Sequence, residues 1–467
     1  MSVTRGGAGG KRLDWGQLAI FSLPVLLIQA IEIPWRVYLP SFLTGSLGLG
    51  LAGVGALLAA VRLFDVGFDL FVGWASDRWP TRFGRRKPWM AAGVPLIMAG
   101  TVGLFLAPVG TSLMALGCWA LLLHAGYTLV VTPHGGWGLE VGRNAGERLR
   151  VIGVKTWFGV LATPLILFVP SLLERQFGAD RAAQIAAMAV AILLLAPSII
   201  ALVLRTIPEA EQAAVPPAPV ARRGLFADLR KLVSRPQFLW IGILYAQAGL
   251  TEATSSGSFI FFAEGPLGLK GWASTLLLIQ AAIALMFLPG WAWLATRIGK
   301  RAALTWAFAL QSAAMAGILI VRADATAGML ALLAVRYACW GADFLFLRAM
   351  VADLAGQAIA SGRNSSASHY AAFNVTLRVS LSLGAGLVLW VPALLAARPG
   401  DGARFDDAIR LVFAMPACLG GLCGIVLLTR LRAPRGVMRD DPPASYPHVP
   451  IGIDPDTIAR RGVSALP

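Results

Sequence analysis

Apolar runs of roughly 20 residues, each long enough as a helix to cross a hydrocarbon layer of about 30 Å, recur along nearly the whole chain. A soluble core has no room for so many, and in lipid every backbone N–H and C=O must be satisfied within the spanning structure. Alternating barrel-type segments are absent, which leaves helices. The runs fall at about 15–38, 48–76, 88–108, 112–134, 150–173, 183–204, 237–263, 270–295, 302–321, 326–352, 367–394 and 408–430. The expected fold class is therefore an all-α membrane protein with twelve transmembrane helices in two six-helix bundles.

Composition agrees: 57% of the 467 residues are hydrophobic and 14% charged, with a mean hydropathy of +0.70. A net charge of +16 could point to nucleic acid, so the placement of the bases decides. Of the 40 Lys and Arg, roughly 27 fall on the side holding both ends of the chain, about 7 on the other and about 6 inside spans. The charge reads as topology, with both termini cytoplasmic in a bacterial-type inner membrane and no nucleic-acid partner. The first run is too long for a signal peptide and lacks a cleavage site, so it is expected to stay as a helix. Cys118, Cys339, Cys418 and Cys423 lie inside spans without metal-ligand spacing and read as packing residues.

The runs divide the chain into a cytoplasmic N-terminus (1–14), a first bundle (15–204), a polar linker (205–236), a second bundle (237–430) and a cytoplasmic tail (431–467). Within the linker, "GLFADLRKLV" has the spacing of a short surface helix at anionic headgroups. An internal echo supports the halves: "GWASDRWPTRFGRRKPW" (73–89) follows the second run and "GWAWLATRIGKRAALTW" (290–306) the eighth. A parallel repeat of this kind is what a major facilitator fold carries, with two bundles about a central cavity.

Asp65 and Asp69, in "RLFDVGFDLFVGW", stand one helical turn apart inside the second run. Each ionised carboxylate costs on the order of 2.5–3.5 kcal/mol at the bilayer centre, so the pair invites a function. Two such groups can hold a monovalent cation or share a proton; alternatively Arg62 or another buried base neutralises one of them. Downstream, Asp77 with Arg78, Arg82, Arg85 and Arg86 forms a candidate gate between helix ends, and the arginines alone would serve as topology anchors. Further polar groups inside spans are Gln29, Glu32, Arg36, His124, Tyr127, Lys155, Gln247, Glu252, Arg336, Asp343, Arg348, Asp353, Asn374 and Arg378, which require a wet interior. Trp35, Trp137 and Trp157 are candidates to stack on a sugar face, or to pack. "GLGLAG" (48–53) matches a nucleotide-binding pattern but opens a membrane helix, and no Walker A sequence is present.

The stretch 48–89, together with "YTLVVTPHGGWGLEVGRNAGERLRV" (127–151) and "AMVADLAGQAIASGRNSSASHYAAFNVTLRV" (349–379), resembles the glycoside–pentoside–hexuronide:cation symporters. The resemblance implies a major facilitator fold, alternating access and sugar uptake driven by Na⁺, Li⁺ or H⁺. It implies a cation role for Asp65 and Asp69, with a possible Na⁺ held there and no other metal site expected. It also implies substrate contacts at Tyr127, at Lys155 where the family has an Arg, and at Arg378 where it has a Lys. Gln29 stands where the family has a sugar-binding Asp, Val131 where it has a helix-four carboxylate, and Leu70 where a Pro is usual.

The expected function is thus a secondary active transporter, a sugar or glycoside:cation symporter and not an enzyme, with H⁺ preferred over Na⁺ because Val131 removes a charged ligand. Substrate contacts are expected at Gln29, Tyr127, Lys155, Arg378, Trp137 and Asn374. No cofactor beyond the coupling ion is expected; partners are the small-molecule substrate, the cation and membrane lipids, and the protein is expected to be a monomer. The alternatives are a lipid or lysolipid transporter on the same fold and a transport-inactive membrane sensor.

Overall fold

The computed structural model describes residues 13–79, 81–141, 145–208, 236–322, 325–360, 366–395 and 402–430. Among the described residues, eleven helices are long and apolar enough to cross a membrane. Pro236–Glu264 is a further 29-residue rod whose Gln247, Glu252 and run of Thr and Ser lower its hydropathy. In chain order the rods are α1 (Trp15–Ser46), α2 (Leu51–Arg78), α3 (Lys87–Phe105), α4 (Leu113–Val141), α5 (Ala145–Phe177) and α6 (Arg181–Thr206). The second half holds α7 (Pro236–Glu264), α8 (Ala273–Ile298), α9 (Lys300–Ile320), α10 (Thr326–Cys339 and Ala342–Ala360), α11 (Ser366–Leu394) and α12 (Ala403–Arg430). Among the described residues the β-type pairing is one isolated bridge, Thr81 to Gly84, in the α2–α3 connection. The surface helix expected within the linker lies outside the described residues, as does the tail.

Local sequence explains the irregular rods. The first run was expected to end near residue 38, but the helix continues to Ser46 through two π-helical turns, Pro34–Tyr38 and Phe42–Ser46. Pro40 has no N–H to donate to the Arg36 carbonyl, and the wider turn closes instead with Leu39 N–H bonded to Pro34 O. This widened turn carries Trp35 and Arg36. α10 breaks at Trp340–Gly341, where Gly341 has φ +84°, a conformation that suits glycine. At the start of α1, Asp14 accepts from Gln17 N–H at 2.7 Å while Gln17 accepts from Asp14 N–H at 3.2 Å, closing a capping box.

Within the first half, glycines set the packing distance between α3 and α4. A Cβ added at Gly126 would lie 2.6 Å from Ile97 N, and one at Gly93 would lie 2.6 Å from Gly126 O. The two backbones touch, as small residues permit in membrane bundles where lipid supplies no hydrophobic drive.

The two halves meet along α2 with α11, α5 with α8, and α1 with α7. Taking the face where α1 begins as the basic face, the bonds that close the opposite, far face are specific. Glu174 of α5 accepts from the backbone N–H groups of Ser274 (2.8 Å) and Thr275 (3.3 Å) at the start of α8. Arg181 of α6 pairs with Glu264 of α7, and Arg175 stacks 3.6 Å over the Trp272 ring. A Cβ at Gly55 of α2 would lie 3.1 Å from Gly386 O and 2.8 Å from the Trp390 ring of α11. The far face is therefore sealed by helix ends from both halves.

Candidate functional site

Asp65 is 1% exposed on α2, at the face turned toward α1 and α4. Its Oδ2 lies 2.8 Å from His124 Nδ1. An ionised carboxylate only accepts, so this geometry assigns the proton to Nδ1. Arg62 Nη1 stands 3.6 Å from the same oxygen. That guanidinium is itself held by Glu32 of α1 through two hydrogen bonds of 2.9 and 2.5 Å. The Trp35 ring meets His124 edge-on at 4.1 Å between centroids and lies 5.7 Å beneath Arg62. Glu32, Arg62, Asp65 and His124 thus alternate in charge character along one chain of contacts, which is how ionisable groups survive in a spanning bundle.

Asp69, one turn on, has a different set of partners. Thr132 Oγ donates to its Oδ1 at 2.7 Å, and Arg378 of α11 forms an ion pair with Oδ2. The two aspartates were expected as one paired site; the structure gives Asp65 partners in the first half and connects Asp69 across to the second. Arg62, the base weighed as a structural neutraliser, is committed chiefly to Glu32.

The other expected substrate contacts separate. Tyr127 is buried with its ring 5.8 Å from His124, and Gln29 Nε2 donates to Thr163 Oγ1 at 3.4 Å. Lys155 and Trp137 lie elsewhere, toward the basic face. His134 Nε2 donates to Phe21 O at 2.8 Å, which leaves Nδ1 as the acceptor for Lys155 Nζ at 3.4 Å. Trp137, 1% exposed, packs edge-on to Phe21 at 5.3 Å. The side chain of Asn374 lies outside the described residues.

Of the expected gate, the side chains of Asp77 and Arg78 also lie outside the described residues. Arg82 is exposed, 4.7 Å over the Phe83 ring, and Arg85 is half-buried. Arg86 is buried and donates to Ser76 Oγ at 2.8 Å. A Cβ at Gly136 would come within 3.0 Å of its guanidinium carbon, so Arg86 ties α2 to α4 inside the first half.

Two cavities open between the halves. The larger, about 580 Å³, is lined by Arg36, Glu252, Ser255, Arg336, Tyr337 and Trp340 among others. The second, about 430 Å³, is lined by Glu32, Trp35, Arg36, Arg62 and residues of α7 and α11. Arg36 and Glu252 pair at 3.1 Å between α1 and α7, and Trp340 Nε1 donates to the other Glu252 oxygen at 2.8 Å. Sequence reasoning marked Arg36, Glu252 and Arg336 as polar groups within spans without bringing them together. It passed over Trp340 and Ser255; the Trp-Gly pair at 340–341 was the one local sign of a break that turns a side chain inward.

The model of the family described as MFS/sugar transport protein matches residues 20–434. The chain belongs to that family. Curated relatives of this MFS sugar transport chain include a glucuronide carrier protein homolog of Escherichia coli (strain K12), 27% identical over 30% of this chain and 32% of the relative. An uncharacterized symporter of Synechocystis sp. (strain ATCC 27184 / PCC 6803 / Kazusa) is 30% identical over 30% of this chain and 29% of its own length. The matched segments thus span about a third of those relatives. Among solved structures, a D-xylose-proton symporter superposes with a TM-score of 0.65 at 15% identity, covering 87% of this chain and 96% of that one. A nucleoside transporter (D323A mutant) gives 0.62 at 17% identity, covering 88% and 98%. These likenesses bear out the major facilitator fold; the MFS sugar transport chain is a multi-pass membrane protein of a transporter family.

Proposed function

We propose that the protein is a sugar or glycoside:H⁺ symporter working by alternating access. The observation that carries the reading is the Asp69–Arg378 ion pair, which joins α2 to α11 and therefore one half to the other. A proton on Asp69 removes the charge that holds Arg378, loosening a contact between the halves. Because coupling is reciprocal, whatever favours the protonated form favours the conformation in which that contact is open.

Several features support H⁺ over Na⁺. Asp65 is occupied by an imidazole, and Asp69 by a hydroxyl and a guanidinium. A Na⁺ site needs several convergent oxygen ligands, whereas the partners here are largely nitrogen donors, and Val131 adds no carboxylate. The cavities between the halves, with their charged and hydroxyl-bearing walls, suit a polyhydroxylated solute better than a lipid tail. The excess of bases on the face where α1 begins supports cytoplasmic ends in a plasma membrane, and the protein acts as a monomer in this reading.

Counterflow of labelled sugars in proteoliposomes tests the proposal. Exchange of at least one sugar or glycoside is expected; exchange of lysolipids but of no sugar overturns it.

A further inference from the structure

The Arg36–Glu252 ion pair crosses between the halves at the wall of the larger cavity, joining α1 to α7. Both residues lie about three helical turns short of the far-face ends of their helices, Ser46 and Glu264, so the bond sits beneath the far-face seal. Each partner is held from its own side. Arg36 rides on the π-helical turn Pro34–Tyr38 of α1. Glu252 accepts from Trp340 at the break in α10, and Trp291 of α8 fastens that break by donating from Nε1 to Ala338 O at 2.7 Å. The pair is nevertheless open to a ligand. The Arg36 side chain is 28% exposed and lines both cavities, while its Nε is buried with no partner among the described residues. Ser255 Oγ and Tyr337 Oη, on the same wall, are likewise buried without a partner.

We infer that the Arg36–Glu252 ion pair is a latch between the halves, which the transported solute opens by taking both partners. A vicinal diol carries a donor hydroxyl beside an acceptor oxygen. It can therefore donate to Glu252 and accept from Arg36 while the direct bond between them lengthens. Neither charge is left bare in that exchange, which an apolar solute cannot achieve. The halves are then joined through the solute and free to part by its width on the far side. Because linkage is reciprocal, a solute that binds better with the latch open shifts the protein toward that form. The latch complements the pair assigned to proton coupling. Asp69–Arg378 and Arg36–Glu252 both cross between the halves within the spans. A proton releases the first and the solute the second, so loading either alone leaves the other closed. Neither Arg36 nor Glu252 was among the substrate contacts expected from sequence.

This inference rests on the transport reading, and the experiment separates the two. Spin labels on Gly45→Cys at the end of α1 and Lys270→Cys before α8, both exposed at the far face, report the gap between the halves by double electron–electron resonance. The full-length protein is used, with exposed Cys118 and Cys423 replaced by Ser. The probes are D-glucose, D-galactose, D-xylose and 4-nitrophenyl β-D-glucoside, each first screened by counterflow. A probe that exchanges is expected to raise the long-distance population of the otherwise wild-type protein about fivefold. Arg36→Gln combined with Glu252→Gln removes both charges; it should raise that population as far without sugar, weaken binding of the probe about tenfold or more and abolish the sugar-induced shift. Arg36→Glu combined with Glu252→Arg should restore the short distance but not the affinity. A pair that merely held the structure together would leave the affinity and the sugar-induced shift intact. Exchange of a probe with no change in distance, or wild-type affinity in the doubly neutral variant, overturns the latch and leaves transport standing. Exchange of none of the probes nor any other sugar overturns both. Should the doubly neutral variant fail to fold, the distances with and without the exchanging probe decide alone.

Discussion

Asp69 of α2 and Arg378 of α11 form an ion pair well inside both helices, so this carboxylate is one of the links between the two halves of the protein. Its side chain is 15% exposed against 30% for the arginine. Neutralising the acid is predicted to uncouple without blocking: Asp69→Asn should lose accumulation against a gradient while retaining counterflow. Arg378→Gln leaves a charged, partly buried Asp69 and should weaken the closed far-face state by about 1.5–3 kcal/mol. The double variant should recover part of that loss in a thermal melt, because no bare charge remains.

The buried Asp65–His124 bond makes a second, independent prediction. His124→Leu strips the carboxylate of its 2.8 Å donor and leaves Arg62 as its near neighbour, so Tm should fall further than for Asp65→Asn. A double-mutant cycle should give a coupling energy of about 0.5–3 kcal/mol for the pair. A coupling energy of zero would show that the bond contributes nothing in the membrane.

Glu174 caps the N-terminus of α8 from the opposite half. A carboxylate at a helix N-terminus contributes about 1 kcal/mol, so Glu174→Ala should shift the far-face equilibrium about fivefold toward opening. The measurement is labelling of Ser256→Cys, in the larger cavity, by a membrane-impermeant maleimide applied from the far side. Exposed Cys118 and Cys423 are first replaced by Ser. Unchanged labelling would separate this cap from gating.

Two glycines offer a packing contrast. A Cβ at Gly126 meets backbone 2.6 Å away, whereas one at Gly67 of α2 meets nothing within 4 Å. Gly126→Ala should therefore destabilise by about 1–3 kcal/mol through separation of α3 and α4. Gly67→Ala should stabilise α2 by roughly 0.5–1 kcal/mol, as alanine does in a helix interior. Thermal melts in one detergent compare the two directly.

Much of the architecture was legible because a spanning helix writes its length and apolarity directly into the sequence; Leu51–Arg78 and Ala403–Arg430 fall close to where the runs place them. The extension of α1 to Ser46 was not, since the apolar run was bounded at about residue 38 and the sequence does not announce the two widened turns that carry the helix on. Asp65 and Asp69 stood out by cost alone, but spacing along α2 is silent on partners from other helices, and His124, Thr132 and Arg378 come from residues distant in sequence. The family resemblance aligned Lys155 and Tyr127 by position, while the side-chain environment sends Lys155 to His134.

The central claim, proton coupling through Asp69, is tested most directly in proteoliposomes holding the wild-type protein, with labelled substrate outside. An inward pH gradient in Na⁺-free buffer should drive accumulation above the equilibrium level, an inward Na⁺ gradient at equal pH should not, and Asp69→Asn should remain at equilibrium under both. Accumulation driven by Na⁺ at equal pH, or undiminished pH-driven accumulation in Asp69→Asn, would contradict the account.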